Sequence, residues 1–252
     1  MPRYAIYYAP PPGSELRRRG AAWLGRDAAG GAAAHALTNG IAPDRRHAVT
    51  REPSRYGLHA TLKAPFHLAD GRSTAALDAA LAAFAATTAP VALGLFEVST
   101  LAGFVALRPR VAPGTLGLLV AEIVESFDGF RRPPGDGELE RRHAAGLTYR
   151  QAANLRRWGY PYVMEDFRFH ITLTGPLEDP ERATIASGLA SLLGPALASP
   201  VALDALTLFV EPKPGGAFYE VARYALTGAG ALDAASGARR ETIAATSAAT
   251  AS

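Results

Sequence analysis

The 252-residue chain contains no cysteine, which excludes a disulfide framework, a thiolate zinc site and a cysteine nucleophile. That absence fits a reducing compartment. No stretch approaches the roughly 18 uncharged apolar residues needed to cross a bilayer. The run Met1–Gly13 lacks the basic, apolar and small-residue succession of a secretory signal. A cytoplasmic protein with no membrane partner is therefore expected. Charge is also sparse: 19% of residues are charged, with a formal net charge of +3 at pH 7. This mild basicity suits an anionic ligand but falls short of the concentrated stripe of a duplex-binding protein. With 48% hydrophobic residues the chain can bury a substantial core. Its Ala, Gly and Arg bias reads as coding preference and carries little chemistry.

The pattern along the chain alternates between strand and helix signals. Arg3–Ala9 is an aromatic-rich strand stopped by Pro10, Pro11 and Pro12. A polar, Gly-rich stretch from Gly25 to Ala33 follows, then a strand over Gly57–Lys63. Thr74–Ala86 has helical composition, with Asp70 or Ser73 as its cap. Val91–Val98 and Phe104–Leu107 read as a strand pair turning near Gly103. Leu116–Phe127 reads as an amphipathic helix, and the charged run Arg131–Glu140 as a connection between halves. The second half predicts a helix over Thr148–Trp158 capped by Thr148, a strand over Phe167–Thr174 and a helix over Pro180–Leu193. Strands over Val201–Val210 and Ala217–Leu226 complete it. The composition beyond Gly228 predicts a disordered tail, residues 229–252.

Self-similarity organises these pieces. The segment Tyr56–Phe66 aligns without gaps on Phe167–Leu177, an offset of 111 residues. Identical positions are His59 and His170, Thr61 and Thr172, Leu62 and Leu173, and Pro65 and Pro176. A predicted helix follows each segment, and then Pro90–Leu93 recurs as Pro200–Leu203. One His-x-Thr is weak evidence, but two in matching windows with the same element order after them indicate a duplication. Residues 1–228 then form a single two-lobed domain, with a first repeat near 55–110 and a second near 165–228.

Side chains alternate across a strand, so His59, Thr61 and Lys63 are expected on one face, opposite Leu58, Ala60 and Leu62. In the second copy Arg168, His170, Thr172 and Thr174 share a face. If the lobes pack about a pseudo-twofold axis, both polar faces line one cleft. One neutral imidazole could accept a proton there while the other, charged, donates one to a leaving oxygen. The threonine hydroxyls could hold non-bridging phosphoryl oxygens, and Lys63 and Arg168 could offset their charge. His59 and His170 are thus the candidate catalytic pair, with Thr61, Thr172, Lys63 and Arg168 as phosphate ligands and Tyr56 as a substrate contact.

Paired His-x-Thr motifs in a two-lobed chain resemble the 2H phosphoesterase superfamily, whose members include RNA 2′,3′-cyclic phosphodiesterases. The resemblance spans residues 1–228. It implies an α+β fold of two pseudo-symmetric lobes of antiparallel sheet with outer helices and a central cleft. Arg3–Pro10, Ala22–Asp27, Arg55–Lys63 and Arg157–Val163 are similar to a branch associated with phosphonate metabolism, encoded near carbon–phosphorus lyase genes. That branch names a pathway and not a reaction, and implies a substrate that is a cyclic or diester ribose phosphate; with the two-histidine scheme, the expected protein is a metal-independent phosphodiesterase acting on a cyclic ribose or nucleotide phosphodiester. The alternatives are an enzyme acting on the cyclic phosphate of an RNA end, and a non-catalytic module binding a phosphate metabolite.

Other residues weigh less. Two strand histidines lack the third ligand of a catalytic zinc site, and no His-x-x-x-His occurs, so no metal or cofactor is expected. His35, His47, His67 and His143 have no partner in the repeat and read as loop or surface residues. Arg141, Arg142, His143, Arg150, Arg156 and Arg157 could form a phosphate-gripping lid, although a solvated helix face is the plainer reading. Trp23 could stack on a base or sit in the core. The expected partner is a small phosphorylated substrate, and a monomer is expected.

Overall fold

A computed structural model describes residues 1–30, 40–133 and 146–229. The strands are β1 (Arg3–Tyr8), β2 (Ala60–Phe66), β3 (Val91–Gly94), β4 (Phe96–Leu101), β5 (Phe104–Pro109), β6 (Ile171–Thr172), β7 (Val201–Leu203), β8 (Ala205–Glu211) and β9 (Tyr219–Ala225). The helices are α1 (Glu15–Leu24), α2 (Pro43–Ser54), α3 (Thr74–Thr87), α4 (Gly114–Ser126), α5 (Tyr149–Trp158) and α6 (Glu181–Leu197). Single 3₁₀ turns lie at Asp128–Phe130 and Met164–Asp166.

Every strand pairing is antiparallel, in sheets of order β2-β1-β8-β9, β4-β5-β6 and β3-β7. The architecture is therefore α+β, as expected. The lobes, however, are not the sequential halves. The His-x-Thr strand β2 of the first repeat lies in one sheet with the hairpin β8–β9 of the second, while β6 of the second repeat joins the hairpin β4–β5 of the first. The short sheet between them holds the recurring Pro-Val-Ala-Leu segments. There Ala92 faces Ala202, its own counterpart, as an antiparallel pair about a local twofold axis must.

Local chemistry explains the elements. The Ser73 side chain accepts from Ala76 N at 3.1 Å and starts α3, whose Leu77, Leu81 and Ala85, four apart, form its buried stripe. Thr148 and Gln151 form a reciprocal capping box at the start of α5, which ends at Gly159 with φ 72°. One continuous core runs through the main sheet and helices, including Ile6, Tyr8, Trp23, Leu62, Leu77, Leu119, Ile171 and Leu208. On the other face of β1, Ala5, Tyr7 and Ala9 join Ala28, Phe209 and Phe218 in a smaller cluster.

Several boundaries differ from the sequence reading. The expected strand Phe167–Thr174 pairs only over Ile171–Thr172: residues 167–170 are irregular, and beyond Thr172 the N–H groups of Leu173 and Thr174 both converge on Val105 O (2.9 and 3.3 Å) and leave the ladder. The expected strand Val201–Val210 is split at Asp204 into β7 and β8, which belong to different sheets. Helix α2 was not apparent in the sequence: it is largely polar, and only Val49, Thr50 and Pro53 are buried. The Arg141–Arg142–His143 cluster, His35 and the expected tail from Gly230 on lie outside the described residues. Among those described, no helix is long and apolar enough to cross a membrane.

Candidate functional site

A cleft of about 380 Å³ opens where the two exchanged sheets meet, and its walls include His59, Thr61, Pro65, His170, Thr172 and Pro176. Three of the four identical pairs of the repeat thus converge on one space. The fourth pair, Leu62 and Leu173, is buried in the core behind it.

Each imidazole is held the same way. His59 Nδ1 lies 3.0 Å from Gly57 O, and His170 Nδ1 lies 2.7 Å from Arg168 O, in both cases the carbonyl two residues earlier. A carbonyl only accepts, so Nδ1 carries the proton and Nε2 is left for a ligand. The surroundings differ, however. His59 packs against Tyr7 (centroids 4.2 Å apart) and Tyr56 (5.4 Å), with Phe209 at 6.3 Å. His170 has Phe104 at 5.7 Å. Burial lowers the His59 pKa from its usual 6.5 to about 4, opposed by the Gly57 hydrogen bond and assisted by repulsion from His170. Burial also lowers the His170 pKa, with a further contribution from Arg108. Both rings are therefore neutral near pH 7.

The Gly57 carbonyl depends on its residue being glycine. Its φ is +72°, and a Cβ there would stand 2.8 Å from the Ala28 Cβ and 3.2 Å from Ala28 N. Gly57→Ala is expected to lose about 1–3 kcal/mol of stability through strain and overpacking. It should also displace the His59 ring resonances while leaving those of His170 in place. Thermal unfolding and histidine-selective NMR read the two effects separately.

Lys63 is not in this cleft, contrary to the sequence reading. Across β1, Tyr7 pairs with Thr61 but Ile6 pairs with Lys63, so Leu62 is an extra residue. This bulge breaks the alternation and turns Lys63 to the opposite face, under α4. There it is 3% exposed, with Nζ donating to Val124 O (2.9 Å) and Asp128 Oδ1 (3.2 Å). Arg168 is exposed, and its Nη1 donates to the backbone of Glu165 (2.8 Å) and Phe167 (2.7 Å). It lines an adjoining cavity of about 450 Å³ that shares Thr61, Ala64, Phe104, Tyr160 and His170 with the cleft. Tyr56 does line the cleft, stacked between His59 and Phe218.

The remaining candidates serve the scaffold. Trp23 is fully buried and its Nε1 donates to Leu173 O at 2.8 Å, bracing the strand that carries Thr172. Arg26 Nη1 donates to Ser54 O and Arg55 O, fixing the chain as it enters Tyr56–His59. Asp27 and Glu220 both bind the buried Arg17 guanidinium. His47 is exposed, and His67 Nδ1 is 2.9 Å from Pro2 O. Arg150 pairs with Asp166, and Arg157 lies over the Trp158 ring. The sequence reading missed Tyr7, Phe104 and Tyr160, which other elements bring to the cleft. Among the described residues no three His, Cys, Asp or Glu side chains gather to hold a metal ion.

Comparison with known proteins gives two curated relatives. Both are called "Ribose 1,5-bisphosphate phosphokinase PhnN". That of Janthinobacterium sp. (strain Marseille) is 37% identical over 235 residues, covering 91% of this chain and 52% of the relative. That of Laribacter hongkongensis (strain HLHK9) is 40% identical over 216 residues, covering 86% and 50%. The chain thus spans about half the length of the curated relatives it matches. Among solved structures, E. coli LigT complexed with 3′-AMP is similar over 90% of this chain and 98% of its own, at 16% identity and a TM-score of 0.42. A family profile matches residues 61–219, which include both threonines and His170, and by that match the chain belongs to the family described as "Protein of unknown function (DUF1045)".

Proposed function

We propose that the protein is a phosphodiesterase of the 2H type that hydrolyses a cyclic ribose or nucleotide phosphodiester by histidine acid–base catalysis. The observation that carries this reading is the convergence of both His-x-Thr pairs on one cleft, each imidazole having Nδ1 fixed by a carbonyl and Nε2 available. The anionic substrate draws a proton onto one ring. His170 is the less desolvated and takes it, while His59 stays neutral. His59 Nε2 then removes a proton from water as the water oxygen bonds to phosphorus. The ester P–O bond breaks, and His170 Nε2–H protonates the departing oxygen. The Thr61 and Thr172 hydroxyls donate to the non-bridging oxygens as charge builds there. Every proton in this scheme is carried by a side chain of the cleft, so added metal is not needed.

The relatives' name supports a place in phosphonate metabolism. Phosphokinase chemistry is not proposed for this chain. Neither Lys63 nor Lys213 follows a glycine, so the sequence lacks the Gly-Lys-Ser/Thr loop that cradles nucleotide phosphates. The adjoining cavity favours a nucleotide ester over a bare sugar phosphate: Phe104, Tyr160, Tyr162 and Phe167 give it aromatic walls, and Arg168 stands at its edge.

The test is turnover of a nucleoside 2′,3′-cyclic phosphate, a ribose 1,2-cyclic phosphate and bis(p-nitrophenyl) phosphate, with chelator present. Chelator-resistant hydrolysis is expected, and loss of all turnover on chelation would overturn the scheme. The pH dependence is also fixed in sign. Catalysis needs one protonated and one neutral ring. In the free protein burial brings both rings below the usual 6.5, His59 to about 4. The profile of kcat/KM should therefore be bell-shaped with its maximum on the acid side of 6.5, falling about tenfold per pH unit well above it. Bound phosphodiester raises both pKa values, so the kcat optimum should lie at higher pH. A kcat/KM maximum above pH 8 would contradict the assignment.

A further inference from the structure

The two repeats are alike, yet the cleft they form is not symmetric, and the asymmetry has a visible source. Strand β1 lies ahead of both repeats in the sequence and is inserted between β2 and β8. It puts Tyr7 directly across from Thr61, whereas Thr172, the equivalent threonine, faces Ala106. One side of the cleft therefore carries a phenol where the other carries a methyl group. The Tyr7 ring is 1% exposed and packs on His59 and Phe209, and the residue lines the cleft. Among the described residues the strand's sealed, unpartnered phenol is that of Tyr8, on the core face, and not that of Tyr7, whose residue opens on the cleft.

We infer that the Tyr7 hydroxyl is a further catalytic group, donating a hydrogen bond to a non-bridging phosphoryl oxygen of the substrate beside Thr61. This rests on the phosphodiesterase reading and deepens it. With Lys63 turned away under α4, the described residues that line the cleft beside His59 include no cation to meet the phosphoryl charge. Thr61 supplies one donor there, and Tyr7 supplies a second from the neighbouring strand. Burial holds the phenol's pKa well above that of free tyrosine, so the group stays a protonated donor across the working range. The arrangement also gives His59 a distinct environment, since the ring that positions the hydroxyl is the one that desolvates the imidazole.

Tyr7→Phe deletes the hydroxyl and keeps the ring. A hydrogen bond to a charged group is lost, so kcat/KM should fall about 10- to 100-fold with little change in unfolding temperature. A purely structural ring would not produce that split. Inorganic phosphate provides a probe that is independent of substrate identity. Titrated into the wild type, it should shift the ring resonances of both His59 and His170, and Tyr7→Phe should bind it at least fivefold more weakly with the same two rings responding. Equal affinity in wild type and Tyr7→Phe would overturn this inference and leave the phosphodiesterase reading standing. Phosphate that moves neither histidine in the wild type would overturn both.

Discussion

Alanine in place of either His59 or His170 is expected to lower kcat about 10²- to 10⁴-fold, the usual contribution of a positioned acid or base. The two losses should not add. Each ring is useful only while the other holds or gives up its proton, so the double variant should be about as slow as the worse single one. Stability should suffer less at His170, whose one aromatic neighbour among the described residues is Phe104, than at His59, which is packed by three. Steady-state kinetics with thermal unfolding of each variant separates these effects. The same experiment distinguishes an enzyme from a phosphate-binding module. An enzyme loses turnover and keeps measurable affinity for ligand, whereas a module has no turnover to lose. Full activity in His170→Ala would end the two-histidine mechanism.

Asp128→Ala is expected to destabilise the fold by about 3–5 kcal/mol, because it leaves the buried Lys63 ammonium and Arg131 without their shared carboxylate. Lys63→Met, which replaces the cation with an apolar side chain of similar length, should be close to neutral or stabilising. Burial lowers the Lys63 pKa from 10.5 to about 8, against the opposing pull of Asp128. The unfolded chain therefore binds more protons than the folded one between about pH 8 and 10.5. Stability from this group accordingly rises with pH across that window and is lowest, and level, below about pH 8. The full span is of order 3 kcal/mol. Lys63→Met should flatten that slope, as chemical denaturation at several pH values would reveal. It should also leave kcat/KM within about twofold; a large loss of activity would mean that the ammonium reaches the substrate after all.

How much of this was legible in the sequence depended on the range of the interaction. Helices α3 and α5 were marked by Ser73 and Thr148, whose caps act within one turn. The identity of the cleft residues was legible because the chain states its motif twice, and position 59 gains meaning only beside position 170. The side assigned to Lys63 was wrong because alternation assumes one residue per step, and a bulge at Leu62 inserts another. The choice of sheet partner was equally hidden. Nothing local to β2 says that it will lie with β8 and β9 and not with β4 and β5. Tyr7 went unremarked because an aromatic residue in a strand ordinarily belongs to the core, and Tyr4, Ile6 and Tyr8 along β1 do. The register that sets it against Thr61 is a tertiary fact.

The exchange of strands between the repeats bears on how such a molecule can arise. A polypeptide comprising one repeat alone would lack the sheet partners that its His-x-Thr strand and its hairpin find in the other repeat of this chain. Two copies would satisfy both by trading strands about a twofold axis, the association that open edges favour. The present chain is, in that sense, a homodimer whose subunits have been joined end to end. Once joined, the halves were free to diverge, and the inserted strand β1 is where they did. A perfect dimer would have had two equivalent imidazoles and no preferred direction for the proton. In the mechanism proposed above, that asymmetry is what sets one imidazole as base and the other as acid.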